Sequence, residues 1–333
     1  MSPLARVAID PSQFPEAVRR DLVESLRSRE INHKFHYESL RQTQKWLALH
    51  QAYSPSKADP NCAAIYQMGF DATVDALSAR SAHLFGLCCG GGQKDAGLLE
   101  QLRTSDRLVC YSPCDGSVPM VLVARQAALG AIPAENCFPI VIDLASALDL
   151  RQSLLLHPTP LPADHARIFT FFGTVHNFEP AIVLPRLASL MGAEDVLLLS
   201  ANLAPGPDYR AGVESVLPLY NNELTRDWLL IFLLDLGIEA ADGRVRVGIE
   251  TTSPPLSLQR IVATFEFVRE RAIQLDSERF EFRSGETIRL FFSYRYTPRV
   301  IRVLLDQYGL DLRQQWVTES GEEGVFLVRK QRG

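Results

Sequence analysis

Four stretches of the chain carry residue types that chemistry can use. In "GLCCGGGQKD", Gly86 to Asp95, glycines at 90, 91 and 92 follow an apolar run and precede a helical pattern. Glycines in that position let backbone approach a ligand closely, and the N-terminus of a following helix favours an anion. A glycine-rich turn without a ligand is the competing reading. Roughly 20 residues past Lys94 stands Asp115 in "YSPCDGS", spaced to accept hydrogen bonds from both hydroxyls of a ribose. Asp143 and Leu144 in "IVIDLAS" pair an acid with an apolar neighbour, which suits an adenine amino group and ring. Any one of these acids could instead cap a helix. In "FFGTVHNFEP", Gly173 admits close backbone approach and Asn177 directs an amide at a carboxylate or an amine. His176 reads as a loop residue, because no nearby serine or cysteine forms a nucleophilic triad with it.

The elements that must position these residues alternate in type. Strands are predicted at 82–88, 107–113, 137–143, 166–173 and 195–201, with the amphipathic stretches "GQKDAGLLEQLR", "SVPMVLVARQAAL" and "PAIVLPRLASLMG" between them. That rhythm implies βαβ units and a mostly parallel sheet, an α/β fold whose ligands bind beyond the carboxyl ends of the strands. Two regions break the rhythm. The first 60 or so residues look helical, with a proline-bearing loop "HQAYSPSKADPNC", and residues 205–285 combine "NNELTRDWLLIFLLDLG" with strand-like "GRVRVGIETT" and "LQRIVATFEFVRERAIQL". The tail returns to "ETIRLFFSYRYT", a helix "PRVIRVLLDQYGL" and a final strand "GVFLVRKQ". The expected partition is a core of residues 63–204 and 286–333 with an accessory layer of residues 1–62 and 205–285.

Composition excludes several classes. The 333 residues are 47% hydrophobic and 22% charged, as in soluble globular proteins. A net charge of -5 argues against a nucleic-acid surface. The longest apolar run, from Trp228, is broken by Asp235, well short of the roughly 20 residues that span a bilayer. No apolar segment of the signal-peptide kind opens the sequence, so the cytoplasm is the expected compartment. The six cysteines contain no C-x-x-C pair, and Cys110 with Cys114 lacks partners for zinc, so no metal is expected. Oligomeric state is not readable, because the "LLIFLLDLG" run suits a core or an interface equally.

From "KFHYESLRQTQKWLALHQAYSPSK" to "GVFLVRK" the chain resembles the S-adenosylmethionine-dependent methyltransferases similar to the ergothioneine-pathway histidine Nα-methyltransferase. "GLCCGGGQKD" resembles that family's "ELGSGTSEKT", keeping Gly90 and Lys94, and "YSPCDGS" resembles "YVPVDVS", which carries Asp115 and Ser117. "IVIDL" is similar to the strand that ends in "GDF", and "FFGTVHNFEP" to "FLGSTIGNxxP". The resemblance implies a Rossmann-like core that binds S-adenosylmethionine through Gly86, Cys88, Gly90, Lys94, Asp115, Ser117, Asp143, Leu144 and Gly173. It also implies a small-molecule acceptor held by Asn177, by Tyr53 in "AYSPSK", and by Tyr220 in "LYNNE", with Tyr209 as an alternative.

Departures from the family pattern shape the functional expectation. Gly86 stands where the family has an acid, and Cys88 where it has the first glycine of the loop. "GETIRLFFSYRY" resembles "GEELLTEVSCKF", whose glutamate and serine recognise imidazole; here the serine is kept as Ser293 and the glutamate position is Phe291. Phenylalanine cannot pair with an imidazole N–H, so the expected acceptor is not histidine but an apolar or aromatic amine, with Phe291 in its pocket. Methyl transfer to nitrogen by positioning, with no dedicated catalytic base, is the leading expectation. Transfer of an aminocarboxypropyl group, or ligand binding without catalysis, are the rivals. The family's amino-acid and alkaloid-type acceptors imply a place in specialised metabolism.

Overall fold

Apolar strands that are buried on both faces build the centre of the molecule. The computed structural model describes residues 4–53, 59–78, 81–104, 107–155, 165–254 and 256–331. In chain order the elements are β1 (Ala8–Ile9), α1 (Pro15–Ser28), α2 (Leu40–Tyr53), α3 (Pro60–Asp75), β2 (Ser81–Leu87), α4 (Gln93–Thr104), β3 (Leu108–Asp115) and α5 (Val118–Ala128). There follow β4 (Ile140–Val141), α6 (Leu150–Leu155), β5 (Ala166–Phe171), α7 (Pro180–Leu190), β6 (Val196–Asn202), α8 (Tyr209–Ser215) and α9 (Glu223–Asp235). The remainder is β7 (Gly243–Thr251), β8 (Gln259–Phe267), β9 (Arg271–Leu275), β10 (Glu278–Phe282), β11 (Thr287–Arg295), α10 (Pro298–Gln307), β12 (Leu310–Val317) and β13 (Glu323–Lys330).

Eight strands form the main sheet in the order β1-β4-β3-β2-β5-β6-β13-β12. The first six are parallel, and β13 and β12 are antiparallel. Every residue of β2 is buried, the pattern of a strand covered on both faces. One face packs under α7 and α10 through Phe85, Phe169, Phe171, Leu187 and Leu304. The other packs under α3 and α4 through Ile65, Phe70, Leu84, Leu98 and Leu198. Strand order reverses at β2, with β3 on one side and β5 on the other, so the crevice beyond their carboxyl ends is where a ligand fits.

The helices start where the sequence supplies caps. Ser117 accepts from the Met120 amide at the start of α5, Asn222 from Thr225 at α9, and Thr297 from Val300 at α10. The buried side of α9, including Trp228, Leu229, Phe232 and Leu233, enters the accessory core beside Phe35, Phe265 and Phe267. The "LLIFLLDLG" run is therefore core.

Two expectations about organisation change. β11 pairs antiparallel with β8, in a three-stranded sheet ordered β11-β8-β7, so a boundary at 286 cuts this sheet and the accessory layer runs through Arg295. Conversely, β1 joins the edge of the main sheet beside β4. Hydrophobic patterning marks a strand but does not say which sheet receives it. The second change is β12, which the sequence reading does not name; its "LDLRQQWV" is an edge strand with Arg313, Gln314 and Gln315 exposed. Among the described residues, no helix is long and apolar enough to cross a membrane.

Candidate functional site

A cavity of about 380 Å³ opens beyond the carboxyl ends of β2, β3 and β5, within the range of small-molecule sites. Its floor is the turn between β2 and α4. Gly90 and Gly92 have φ of 51° and 72°, the left-handed region. A Cβ on Gly92 would lie 2.6 Å from the Ala124 Cα of α5, so the turn is pressed against that helix. Cys88 also has a positive φ, 49°, which costs an L-residue roughly 1–2 kcal/mol. Burial, then Asp115 and Asp143, push the Cys88 thiol well above its usual range, so it is a neutral wall group and no nucleophile.

Asp115 ends β3 in the cavity wall. Its Oδ2 accepts from the Gly90 amide at 3.3 Å and its Oδ1 from the Ser117 amide at 3.1 Å, so the acid is fastened to the turn and oriented by α5. Burial raises its carboxyl to about 6. Asp143, after β4, has more partners: the Ala145 amide and Ser146 Oγ each at 2.8 Å, and Lys34 Nζ at 3.4 Å. Lys34 comes from the accessory segment and also pairs with Asp21 of α1 at 2.5 Å. Leu144, Gly173, Asn177 and Lys94 complete this side. Lys94 Nζ donates to Tyr66 Oη at 2.5 Å and lies 3.3 Å from the buried Glu323 of β13.

Much of the remaining lining is aromatic. Tyr37, Trp46 and His50 form it with Phe172 and Phe178. Trp46 and His50 are one helical turn apart on α2 and stack at 5.0 Å, and the Trp46 ring covers Gly90. The sequence reading names none of these five. Their signal was the one-turn spacing of Trp46 and His50 inside "QKWLALHQAY".

Several expected site residues stand elsewhere. Ser117 is a cap, its Oγ donating to the Tyr37 carbonyl at 2.6 Å. Tyr53 ends α2, partly exposed and outside the wall; residues 54–58 of the adjoining loop lie outside the described residues. Tyr220 Oη accepts from Arg295 at 2.8 Å and Asn202 at 3.2 Å and meets Ser293 Oγ at 3.0 Å, so both residues belong to a bonded knot behind the cavity. Tyr209 is similarly engaged, donating to the Arg295 carbonyl at 2.6 Å. Phe291 packs in the accessory core, where the His33 ring stacks on it at 4.8 Å and takes the place in the wall that Phe291 was expected to hold. His176 is buried and held by Asn202 at 3.0 Å, in keeping with a loop residue. Among the described residues no cluster suits a metal ion.

Gly86 is not in the wall either, and the reason is specific. A Cβ built there would overlap Asp95 Oδ2. Asp95, in the first turn of α4, is buried yet contributes to the cavity lining. Its Oδ2 accepts from Tyr111 Oη at 2.6 Å and its Oδ1 from Thr170 Oγ1 at 2.6 Å. Burial raises its carboxyl to about 6, against the lowering pull of those two hydroxyls. Sequence reading missed Asp95; the pointer was the glycine at 86 coupled with a new acid nine residues on.

Solved structures are similar to the chain at low identity. The mitomycin 7-O-methyltransferase MmcR is similar over 95% of this chain and 68% of its own, at 13% identity and a TM-score of 0.41. The Burkholderia thailandensis 1,6-didemethyltoxoflavin-N1-methyltransferase, solved with 1,6-didemethyltoxoflavin and S-adenosylhomocysteine, is similar over 100% of this chain and 93% of its own, at 12% identity and 0.42. The CcbJ methyltransferase from Streptomyces caelestis is similar over 81% and 96%, at 12% and 0.40. No curated protein matches the chain. Residues 256–330, from β8 to the last strand, match the model of the histidine-specific, S-adenosylmethionine-dependent methyltransferase family, the family that the sequence resembles.

Proposed function

We propose that the chain is an S-adenosylmethionine-dependent methyltransferase whose acceptor is the nitrogen of a small amine or amino-acid derivative other than histidine. The observation that carries this reading is Asp115, fixed at a strand end by the Gly90 amide inside a cavity of ligand size. The donor set fits an adenosine ligand: a carboxylate for the ribose, Asp143 beside Leu144 for the base, and Gly173 leaving room for the chain. S-adenosylmethionine, when bound, supplies a methyl group activated by its sulfonium.

The rest is positioning, which effective-molarity arguments show can account for much of a transfer rate. Tyr37, Trp46, Phe172 and Phe178 exclude water and receive an apolar body. Asn177 donates its Nδ2 to the Phe292 carbonyl at 2.9 Å. That bond uses one of the amide's two N–H donors and fixes its plane, leaving Oδ1 to accept an N–H from the acceptor amine. The apolar acceptor thus rests on this wall, not on Phe291.

Calorimetric titration with S-adenosylmethionine tests the reading. Binding that Asp115→Ala weakens tenfold or more is expected, since a charged hydrogen-bonding group contributes about 1.5–3 kcal/mol. Absence of binding to the intact protein would overturn it. Product mass with apolar amines then separates methyl from aminocarboxypropyl transfer.

A further inference from the structure

The floor of the cavity holds a carboxylate that the fold has buried with no ion pair among the described residues, Lys94 acting on it only from a distance. Asp95 is 3% exposed. Its two hydrogen-bond partners, Tyr111 on β3 and Thr170 on β5, are neutral hydroxyls. Among the described residues it makes no ion pair: the neighbouring Lys94 is turned to Glu323 and Tyr66. Buried carboxylates are ordinarily paired, so an unpaired one in a ligand cavity is an invitation to a cation. Each Asp95 oxygen accepts one hydrogen bond and retains a second lone pair. The geometry also couples this acid to position 86. The residue on β2 beneath it is glycine, and the carboxylate fills the space that a side chain at 86 would need.

We propose that Asp95 binds the primary ammonium of the ligand's α-amino-acid end, supplying from α4 the negative charge that position 86 cannot. Lys94, one residue away in the same wall, keeps a third N–H beyond its bonds to Tyr66 and Glu323 for the carboxylate of that end, so the pair reads a zwitterion. This inference rests on the cofactor reading above and narrows it to one contact.

The test varies ligand and protein together by calorimetry, with S-adenosylhomocysteine, its analogue lacking the α-amino group, and 5′-methylthioadenosine, which lacks the whole amino-acid end. The wild-type protein is expected to bind S-adenosylhomocysteine roughly ten- to a hundredfold more tightly than the desamino analogue, the range for a charge-assisted hydrogen bond. Asp95→Asn is expected to abolish that ratio while changing 5′-methylthioadenosine affinity less than about twofold. Equal wild-type affinities for S-adenosylhomocysteine and the desamino analogue would overturn the proposal without any variant, as would an unchanged ratio in Asp95→Asn. Parallel loss of all three ligands in the variant would also overturn it, by showing that Asp95 only supports the fold. A wild-type protein that binds none of the three sinks the cofactor reading itself, and this contact with it.

Discussion

Cys88 holds a backbone conformation that an L-residue adopts only at a cost, with φ of 49° in the turn that shapes the cavity floor. Cys88→Gly is therefore expected to stabilise the fold by about 0.5–1 kcal/mol, strain relief being partly offset by the freer unfolded chain. Urea unfolding would measure it, and an unchanged midpoint would show that the neighbouring glycines absorb the strain. Asp115 gives a pH signature. Its carboxyl sits at about 6, and only the ionised form accepts from both ribose hydroxyls. Affinity for 5′-methylthioadenosine, which keeps the ribose, should fall up to about tenfold per pH unit below 6 and be flat in Asp115→Asn. At this scale much was legible, since Gly90, Lys94, Asp115, Asp143 and Asn177 all line one cavity. Asp95 was not, because a side chain nine positions from a vacant one meets it only after a turn and the start of a helix are built.

The elements explain why Phe291, expected in the cavity wall, packs in the accessory core instead. β11 carries a bulge between Arg289 and Phe291, so the strict alternation that would sort its side chains into two faces fails there. Leu290 and Phe291 are both buried as a result. The strand's edge is then held by side chains: His36 meets the Leu290 carbonyl at 2.7 Å, His33 accepts from the Phe292 amide at 3.1 Å, and Asn177 takes the Phe292 carbonyl. No spacing in the sequence announces a bulge or the histidines that grip it. β12 escaped for another reason: an edge strand rich in arginine and glutamine lacks the apolar run that marked β2 and β6. Farther out, Asp242 ties the start of β7 to β9. Arg271 at 2.7 Å, then the Glu239 amide and Arg269, hold its carboxyl well below the usual range. A carboxyl lowered in this way adds stability that is present above about pH 4 and lost as the pH falls. Asp242→Ala should cost about 2 kcal/mol at pH 7, measured by urea unfolding, and the deficit should shrink toward pH 3.

For the whole molecule, the two buried acids of the cavity are a local liability at neutral pH. Asp95 and Asp115 both titrate near 6 in the fold, against about 3.9 in an unfolded chain. Folded pKa above unfolded pKa means a contribution that is full below about pH 4 and is lost as pH rises through 6. Asp95→Asn mimics the protonated acid, so its melting temperature should match wild type near pH 3.5, begin to exceed it by pH 5 and exceed it by a few degrees at pH 7.5. Equal melting temperatures at all three values would show that the acid is already compensated. The α/β class and the strand rhythm were legible because a buried parallel sheet writes itself as apolar runs. The sheet that receives each strand was not, since β11 and β12 follow one another in sequence yet end in different layers.

Glu323 reaches Lys94 from β13, which inserts beside β6 only after the accessory strands β7 to β11 have been made. On a ribosome that emits the chain from its amino end, the glycine turn, Lys94 and Asp95 emerge more than 200 residues before the acid that anchors Lys94. A nascent chain thus carries Lys94 long before it can form the ion pair that holds that side chain in place.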